Sequence, residues 1–496
     1  MSPEPQDLYC AGLTSLPPPE KRRVLVTGAT GYVGGRLVPE LLARGYRVRA
    51  MVRAACPEYA GRWPGAEIVV ADALEPDGLV RALADVHTAF YLIHSLHLGP
   101  KAFEEKDLQA AANFRAAADG SGVERIIYIG ALGDVAGDLS PHLRSRAMVA
   151  EELAKGCAAT TALRAALIIG SGSASYEIIR HLSERVPVMP LPWWAETRCQ
   201  PISMRDTIRY LVGVLEVPES TGRTFDIGGA DVLTYGSMLR ICAEVLGRRL
   251  RSFRSPVSSI PLVAYVVSLL TPVPAPITMS LLRGAANEVV CREHEIRRLV
   301  PFDPLTYREA VERAVRVEKA DTVRTRWADS YRPAHAEAGT LTDLAEPPRY
   351  VALRSILTTK SACSLFASVT RIGGREGWFN TNWLWRIRGA FDRAFFGVGL
   401  SRGRRSASSL RTGDAIDFWR VEELVPDRRL LLRSEMKMPG QAWLDFRIDP
   451  EGNRNRLSVQ AWYEPGGVLG HVYWYVFLPF HHFIFQNLVG EISRRS

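Results

Sequence analysis

The feature that most constrains this chain is a glycine-rich segment near its start, Thr27-Gly28-Ala29-Thr30-Gly31-Tyr32-Val33-Gly34. It follows a short apolar run at residues 22–27, which predicts a buried parallel strand, and it leads into helically spaced apolar residues at 33–43. A strand that turns this sharply into a helix directs backbone N–H groups and the positive end of the helix dipole at an anion. The segment therefore predicts a pyrophosphate-binding turn, whose contacting residues are Thr27, Gly28, Thr30, Gly31, Tyr32, Val33 and Gly34.

The three glycines of this turn have separate predicted roles. Gly28 and Gly31 provide backbone conformations that other residues avoid, and they let a phosphate group come close. Gly34 lets the helix pack tightly on the strand. A glycine triplet alone is a weak signal, but here it sits between a predicted strand and a predicted helix, which is the context that dinucleotide binding requires.

The segments after the turn alternate between strand and helix. Apolar runs predict strands at residues 46–52, 66–70, 88–93, 125–129 and 161–169, and helical spacing predicts helices at residues 76–83 and 103–118. Strands that alternate with helices imply parallel crossover units. The predicted fold class is therefore α/β, a doubly wound parallel sheet of the Rossmann type.

Two positions at strand ends bear on the choice of cofactor. Arg53 follows the second strand, roughly 20 residues after the turn, where an acid binds a ribose 2′-hydroxyl and an arginine suits a 2′-phosphate. Arg53 therefore favours NADP(H) over NAD(H), with an ordinary surface arginine as the alternative. Asp72, followed by Ala73, ends the third strand. Asp72 is either an acceptor for the adenine amine or a turn aspartate, and the sequence leaves both open.

The segments TGATGYVG, VRAMVR up to Arg53 and VVADAL around Asp72 resemble the short-chain dehydrogenase/reductase superfamily, and more narrowly its atypical, NmrA-like members. The resemblance covers residues 21–321 and includes YLIHSL, IIYIGALG, HLRSRAMVAEEL, QPISMRD and FDIGG in the expected order. It implies that Leu92, Ile93 and His94 line the ribose of the cofactor.

The same resemblance exposes a departure at the catalytic positions. Working members of the superfamily use a tyrosine and a lysine four residues apart, together with a serine after the fifth strand. Here His142 and Arg146 stand at the first two positions, and Gly130-Ala131 stands where the serine is expected. Histidine can carry a proton near neutral pH, and Arg146 can hold ribose or phosphate, although a polar loop residue is the alternative for His142.

Two functions are compatible with these residues. One is an NAD(P)-dependent oxidoreductase whose catalytic residues are His142 and Arg146. The other is a dinucleotide-binding sensor or assembly factor without turnover. Both require the cofactor turn, and the missing tyrosine, lysine and serine favour the second.

The second half of the chain has a different pattern. A flexible N-terminus is predicted at 1–20, the dinucleotide-binding domain at 21–323 with its substrate side from about 171, and a polar linker at 324–349. Consecutive strands with turns and a final helix then predict an α+β domain at 350–496 with an antiparallel sheet.

The motifs of this second domain resemble an uncharacterised domain that is often fused to such Rossmann proteins and that is similar to the START/polyketide-cyclase helix-grip fold. The matching residues include Gly377-Trp378, Trp385-Arg386-Ile387-Arg388-Gly389, Gly413-Asp414, Phe418-Trp419-Arg420-Val421, Met436-Lys437-Met438-Pro439-Gly440, Tyr473-Trp474-Tyr475 and Pro479-Phe480-His481.

The final helix, predicted at about residues 473–492, carries the apolar residues that are to cover the sheet: Tyr473, Tyr475, Val476, Phe480, Phe483, Ile484, Leu488 and Ile492. A kink at Pro479 would leave an apolar cavity beneath it for a small molecule, a quinone or a lipid. A filled core is the alternative. Peripheral contact of this apolar helix with a membrane is a further expectation.

Charge and cysteine usage narrow the remaining partners. The net charge is +9, but the basic residues are dispersed, and the densest run is Arg402-Gly403-Arg404-Arg405, which predicts a solvated surface and no nucleic-acid partner. The seven cysteines form no CxxC pair, which argues against a disulfide framework or a cysteine zinc site. No metal site is predicted. The expected location is cytoplasmic, with contact at the inner membrane face as an extension; no oligomeric state is predicted.

Overall fold

The computed structural model describes residues 8–17, 22–56, 58–94, 102–133, 139–329, 341, 344, 346–373, 376–394, 397–399 and 404–496. Arg402 and Gly403 of the basic run lie outside these residues. The chain divides into two compact units, which are Met1–Thr271 with Ala275–Ser330 and Pro272–Pro274 with Tyr331–Ser496.

The described part of the first unit alternates short strands with helices. Its strands are β1 Arg23–Val26, β2 Arg47–Val52, β3 Glu67–Val70, β4 Thr88–Tyr91, β5 Arg125–Ala131, β6 Ala159–Ala165, β7 Ile168–Ile169, β8 Val188–Leu191, β9 Arg198–Cys199, β10 Ile202–Ser203, β11 Thr224–Ile227, β12 Leu233–Thr234 and β13 Arg251–Arg254. Its helices are α1 Gly34–Ala43, α2 Glu58–Arg62, α3 Pro76–Leu83, α4 Ala102–Gly120, α5 Pro141–Ala154, α6 Ala174–Arg185, α7 Met204–Glu216, α8 Tyr235–Val245, α9 Ile260–Leu270, α10 Ala275–Ala285, α11 Ile296–Leu299 and α12 Tyr307–Lys319.

Seven of these strands form one sheet in the order β11-β6-β5-β4-β1-β2-β3, and every neighbouring pair is parallel. The chain runs outward from β1 through β2 and β3, then returns to β4 on the other side of β1. The direction of winding therefore reverses between β1 and β4, and a ligand crevice forms outside the carboxyl ends of the strands at such a point. The predicted Rossmann-type sheet is confirmed.

Strand β1 is buried on both faces of this sheet. Val24 and Val26 pack in one hydrophobic cluster with Leu37 of α1, whereas Leu25 packs in a second cluster with Phe114 of α4. Because helices cover both faces, a central strand needs apolar side chains at successive positions. This explains why the run before the glycine turn is continuously apolar.

The residues before β1 differ in part from the flexible N-terminus predicted at 1–20. The backbone N–H groups of Tyr9 and Cys10 donate to the two carboxylate oxygens of Glu40, at 2.8 and 3.0 Å, and Cys10 is fully buried. Residues 8–17 therefore pack on the first unit. The proline-rich sequence of this segment predicts flexibility, and it does not indicate the contact with Glu40, which is 30 residues away from Cys10.

The first residues of the linker predicted at 324–349 also differ from the prediction, because they are packed against the first unit. Thr325 is buried, accepts a hydrogen bond from Nη1 of Arg36 at 2.5 Å and donates to the carbonyl oxygen of Tyr32 at 2.9 Å. Thr325 is therefore part of the packing around the glycine turn, although the polarity of this segment is typical of a linker.

The described part of the second unit contains strands β14 Tyr350–Thr358, β15 Ala415–Ile416, β16 Trp419–Val425, β17 Arg429–Ser434, β18 Gly440–Glu451 and β19 Arg454–Pro465, with helices α13 Ala362–Val369, α14 Asn382–Ala394 and α15 Gly467–Arg495. The strands form one antiparallel sheet in the order β14-β19-β18-β17-β16-β15. The predicted antiparallel sheet with a long C-terminal helix is confirmed, and β14 is an edge strand that the sequence analysis did not identify.

Helix α15 packs on this sheet through aromatic rings. Trp474 stacks on Tyr350 with ring centroids 5.2 Å apart and on Tyr463 with centroids 5.6 Å apart. Further along the helix, Leu488 and Ile492 are buried. At Trp474 the space between helix and sheet is therefore filled by stacked rings, as the filled-core alternative expects.

The orientation of the final helix was predicted wrongly for four of the eight apolar residues that were expected to cover the sheet. The helix begins at Gly467, and Tyr475, Val476, Phe480 and Phe483, which were expected to cover the sheet, are 47–62% exposed. A helix that is apolar on both faces gives no periodic signal for which face is buried.

A surface depression lies around Pro479 and is lined only by residues of α15 itself: Leu478, Pro479, His482, Phe483, Gln486 and Asn487. As far as the described residues show, it therefore lies on the helix and not beneath it. Across the described residues, no helix combines the length and apolarity that crossing a membrane requires.

Candidate functional site

The glycine turn forms a cradle of backbone atoms at the carboxyl end of β1. Gly28 has a φ of 59°, and a Cβ atom there would lie 2.7 Å from the carbonyl oxygen of Leu92. A Cβ on Gly34 would lie 2.3 Å from the carbonyl oxygen of Gly28. Gly31 was predicted to adopt a backbone conformation that other residues avoid, but its φ is not positive. Its N–H donates to the carbonyl oxygen of Gly28 at 2.9 Å. The close approach at Gly28 and Gly34 fits a pyrophosphate-binding turn.

Thr27 joins this turn to the neighbouring strand. Its buried hydroxyl donates to the carbonyl oxygen of Phe90 at 3.0 Å and accepts from the N–H of Leu92 at 2.9 Å. Because β1 and β4 flank the crevice, these bonds hold its two sides in register. Thr30 and Val33 lie half-buried in the turn.

Tyr32 contacts the helix that follows the turn. The guanidinium of Arg36 lies 4.3 Å from the centre of its ring and donates to its carbonyl oxygen at 3.2 Å. Burial raises the pKa of the Tyr32 phenol above its usual value. A phenol that stays protonated and buried is suited to packing, so the contribution predicted for Tyr32 falls on its backbone.

The residues predicted to select the cofactor lie at the ends of the next two strands. Arg53 is exposed and directly follows β2, the parallel neighbour of β1. Asp72 follows β3 and accepts a hydrogen bond from the N–H of Leu74 at 2.9 Å, which supports the turn-aspartate interpretation. Ala73 is buried, and its carbonyl oxygen accepts from Asn113 at 3.1 Å.

Leu92, Ile93 and His94 continue from the carboxyl end of β4, at the crevice. His94 has a carboxylate partner that the sequence analysis missed, since its Nδ1 lies 3.2 Å from Oδ2 of the buried Asp107 in α4. A carboxylate partner requires a proton on Nδ1 and leaves Nε2 as the acceptor. Sequence spacing did not indicate the pair, because one residue is in a loop and the other is on a helix.

His142 and Arg146 stand one turn apart on α5, which begins after Ser140, whose hydroxyl accepts from the N–H of Leu143. The rings of His142 and His94 lie 5.1 Å apart between centroids. The Arg146 guanidinium donates to the carbonyl oxygens of Ile93, at 3.4 Å, and Ile129.

Arg146 thus braces the ends of β4 and β5, and its guanidinium also lies 4.7 Å from the centre of the Tyr128 ring. The Tyr128 hydroxyl donates back to the carbonyl oxygen of Arg146 at 3.1 Å. Gly130 and Ala131, at the position of the usual serine, are the last residues of β5 and bring no hydroxyl to the crevice.

Both imidazoles are biased toward the neutral form. Removal from water, together with the neighbouring His94 and Arg146, lowers the pKa of His142 well below its usual value. Removal from water also lowers the pKa of His94, and the hydrogen bond to Asp107 opposes that shift. An imidazole that is neutral at pH 7 has a nitrogen lone pair that can accept a proton, which is one requirement for a general base.

The structure therefore brings one set of predicted residues together and leaves a second set apart. The glycine turn, the end of β4 and the pair on α5 are linked by the contacts of Gly28 with Leu92, of Arg146 with Ile93, and of His142 with His94. Arg53, Asp72 and Ala73 also lie at the carboxyl ends of strands, but they follow β2 and β3, which are on the opposite side of β1 from β4. In the described residues, no cluster of three or more His, Cys, Asp or Glu side chains is arranged to hold a metal ion.

Two family models match the chain. The first, described as NAD(P)H-binding, matches residues 28–181, and the second, described as a protein of unknown function (DUF2867), matches residues 344–488. The first match begins at Gly28 of the glycine turn, and the second falls in the second unit. DUF2867 is therefore a separate C-terminal domain.

Curated relatives and a solved structure match the N-terminal part. The Photosystem II assembly factor Ycf39 of Cyanophora paradoxa is 24% identical over 243 residues, 48% of this chain and 73% of that protein. The chloroplastic divinyl chlorophyllide a 8-vinyl-reductase of Zea mays is 26% identical over 269 residues, 50% of this chain and 66% of that protein. A nucleoside-diphosphate-sugar epimerase from Staphylococcus aureus is 18% identical, with a TM-score of 0.49, and the match covers 58% of this chain and 99% of that chain.

The topology, the glycine turn and the NAD(P)H-binding match agree. The N-terminal unit is an NAD(P)-binding Rossmann domain similar to the short-chain dehydrogenases/reductases.

Proposed function

We propose that the N-terminal unit is an NAD(P)(H)-dependent oxidoreductase in which imidazoles replace the usual tyrosine as proton-transfer groups. One observation carries this proposal, the meeting of His142 and the Asp107-bound His94, with ring centroids 5.1 Å apart, beside the glycine turn. Perturbed titratable groups that gather at a ligand crevice are typical of active sites.

In this proposal a bound dinucleotide supplies or accepts the hydride, and the chain positions groups and moves a proton. The backbone of the glycine turn at the start of α1 holds the pyrophosphate, and the close packing at Gly28 and Gly34 keeps the turn in shape. His142 in its neutral form takes a proton from a substrate hydroxyl in the oxidation direction, and His94 receives it through Nε2 while Asp107 stabilises the resulting charge. Arg146 is a positioning residue through its bonds to β4 and β5, and its predicted contact with ribose or phosphate stays a prediction.

The proposal is tested by following NADPH oxidation with the full chain and a panel of ketones, enones and quinones. Turnover of one class, lost in His142→Phe, supports it. Tight cofactor binding without turnover in any class, in both reaction directions, would contradict it.

That negative outcome would support the second candidate, a sensor or assembly factor that binds the dinucleotide without turnover. The specific observation in its favour is that the end of β5 carries Gly130 and Ala131 in place of the usual serine, while His142 and Arg146 stand in place of the tyrosine and the lysine. A relative is named an assembly factor. A partner that dissociates when the dinucleotide is added would be its positive test.

Asp107→Asn should shift the pH dependence of the reduction. The carboxylate stabilises protonated His94, so its loss lowers the pKa of His94 further, and less protonated imidazole is present at any given pH. We therefore expect kcat/KM for reduction, which needs the protonated form, to reach its half-maximal value at lower pH than in the wild type. pH–rate profiles measure this, and superimposable profiles would remove the pair from proton transfer.

Arg53 should make the unit prefer NADP(H). Arg53 is exposed at the carboxyl end of β2, and a charge-assisted contact with a 2′-phosphate contributes about 1.5–3 kcal/mol, or roughly tenfold or more in affinity. We expect Arg53→Ala to remove this preference and to leave NADH affinity unchanged. Calorimetry with both cofactors measures it.

The matched control is Arg47→Ala, an exposed arginine at the opposite end of the same strand. Arg47→Ala should change neither the affinity for NADPH nor the affinity for NADH. Equal affinities of the wild type for NADPH and NADH would contradict the role of Arg53.

We further propose that the C-terminal unit binds an apolar small molecule, a quinone or a lipid, and that the protein acts in the cytoplasm at the inner membrane face. The depression around Pro479 on α15 is the observation in favour, and the START-like similarity of this unit stays a prediction. Native mass spectrometry of the full chain after incubation with a quinone and with a membrane lipid tests it. Recovery of only the bare chain in both cases would contradict ligand binding.

A further inference from the structure

The second unit exposes an apolar stripe on helix α14. Trp383, Ile387 and Phe391 follow one another at intervals of four residues and are 57, 48 and 61% exposed. The opposite face of the helix contains the buried Trp385 and Asp392. A helix of this length usually presents polar side chains to water, so three large apolar residues in one exposed row indicate a contact surface.

Helix α15 adds a second exposed stripe. Val468, Leu469, Val472, Tyr475, Val476, Phe480 and Phe483 are exposed to between 47 and 79%, and at 100° per residue they share one face of the helix. Trp474, Phe485, Leu488 and Ile492 occupy the opposite, buried face. The helix is therefore apolar on both sides, and the sheet covers only one of them.

The two helices that carry the stripes are in contact through one pair of side chains. Nε of Arg388 in α14 lies 3.5 Å from the hydroxyl of Tyr473 in α15, and its Nη2 donates to the carbonyl oxygen of Lys437 at 2.9 Å. The interfacial surface is defined here as the three residues of α14 and the seven of α15 named above. An exposed apolar surface of this extent marks an interaction site.

The exposed charges on α14 are basic, and the first half of α15 carries none. Helix α14 carries the exposed Arg386 and the half-buried Arg388 and Arg393, and its only acid, Asp392, is buried and lies 3.9 Å from Nη1 of Arg388. From Gly467 to Gly490, α15 contains no acidic residue, lysine or arginine. Aromatic rings beside arginines and without exposed acids match the boundary of an anionic bilayer, where rings enter the headgroup region and cations face phosphates.

We propose that the interfacial surface docks on an anionic lipid bilayer, with α14 and the first half of α15 lying in the headgroup region. This proposal rests on the location at the inner membrane face proposed above, and it does not depend on the oxidoreductase proposal. Burial of the apolar rows supplies most of the affinity, and the arginines add an attraction that salt screens.

The test is flotation of the full chain with vesicles of pure phosphatidylcholine and with vesicles of phosphatidylcholine and phosphatidylglycerol in equal parts. We expect preferential binding to the anionic vesicles and weaker binding as salt is raised. The double variant Trp383→Glu/Phe391→Glu should reduce the partition coefficient by about tenfold or more, because two large apolar side chains no longer leave water.

The matched control is Trp193→Glu/Phe253→Glu in the first unit, where the same two residue types are 55 and 53% exposed. It should float like the wild type. Unchanged NADPH affinity and melting temperature in both variants show that the fold is intact.

Three results would overturn the proposal. They are the absence of flotation with either vesicle, equal loss of binding in both double variants, and a dimer by light scattering that the α14 variant dissociates. The last result would assign the surface to a second copy of the chain.

Discussion

We expect His142→Phe to lower kcat by at least about 100-fold with any substrate that the wild type turns over, because a positioned general acid or base contributes 10²- to 10⁴-fold. His142 is half-buried on α5, and its ring faces His94 across 5.1 Å. Phenylalanine keeps an aromatic ring of similar volume but cannot carry a proton. The dissociation constant for NADPH should stay within about twofold, since the predicted cofactor contacts lie on the turn and at the ends of β2, β3 and β4, and not on this ring.

Steady-state kinetics and calorimetry measure the two quantities separately. The control is His87→Phe at the amino end of β4, where the imidazole contacts Thr88 and Glu124 away from the crevice. That variant should keep its turnover. Turnover retained in His142→Phe would remove His142 from the mechanism, whereas equal loss in both variants would indicate a general effect of losing a histidine.

Gly28→Ala should weaken dinucleotide binding by about 100-fold or more. A Cβ atom at this position lies 2.7 Å from the carbonyl oxygen of Leu92, and the φ of 59° is strained for alanine. Backbone strain of this kind costs on the order of 1–3 kcal/mol, and the overlap pushes β4 away from the turn. The N–H groups that are to face the pyrophosphate then lose their alignment.

Gly34→Ala meets the carbonyl oxygen of Gly28 at 2.3 Å and should reduce both affinity and thermal stability, because the obstacle is backbone. Gly61→Ala is the control, since Gly61 lies in α2 and a Cβ there has no atom within 4 Å. Calorimetry with NADPH and thermal melting distinguish the three variants. Wild-type affinity in Gly28→Ala would show that the turn does not hold the cofactor in the way proposed.

The fold of the first unit was readable from local patterns. The continuous apolar run of β1 is required by burial on both faces, and the glycines that follow are required by close backbone approach at Gly28 and Gly34. These signals lie within a few residues of one another, so the sequence pattern alone indicates them. The antiparallel sheet of the second unit was predicted for the same reason, since alternation and turns are local. Its edge strand β14 was missed.

The tertiary structure alone decided which distant residues meet. His94 and Asp107 are 13 residues apart, on a loop and on a helix, and no periodic pattern joins them. Glu40 anchors the backbone of Tyr9 and Cys10, and Arg36 binds Thr325 across 289 residues. Such pairs depend on the path of the chain, which local propensity does not contain.

The orientation of α15 depended on the fold in the same way. Val476 and Phe480 are as apolar as Trp474 and Leu488, yet the first pair is exposed and the second is buried. Apolarity specifies that a side chain is more stable out of water, but not which neighbour removes it from water. The sheet covers one face of α15, and the packing of the whole unit determines which residues lie on the covered face and which lie on the exposed face.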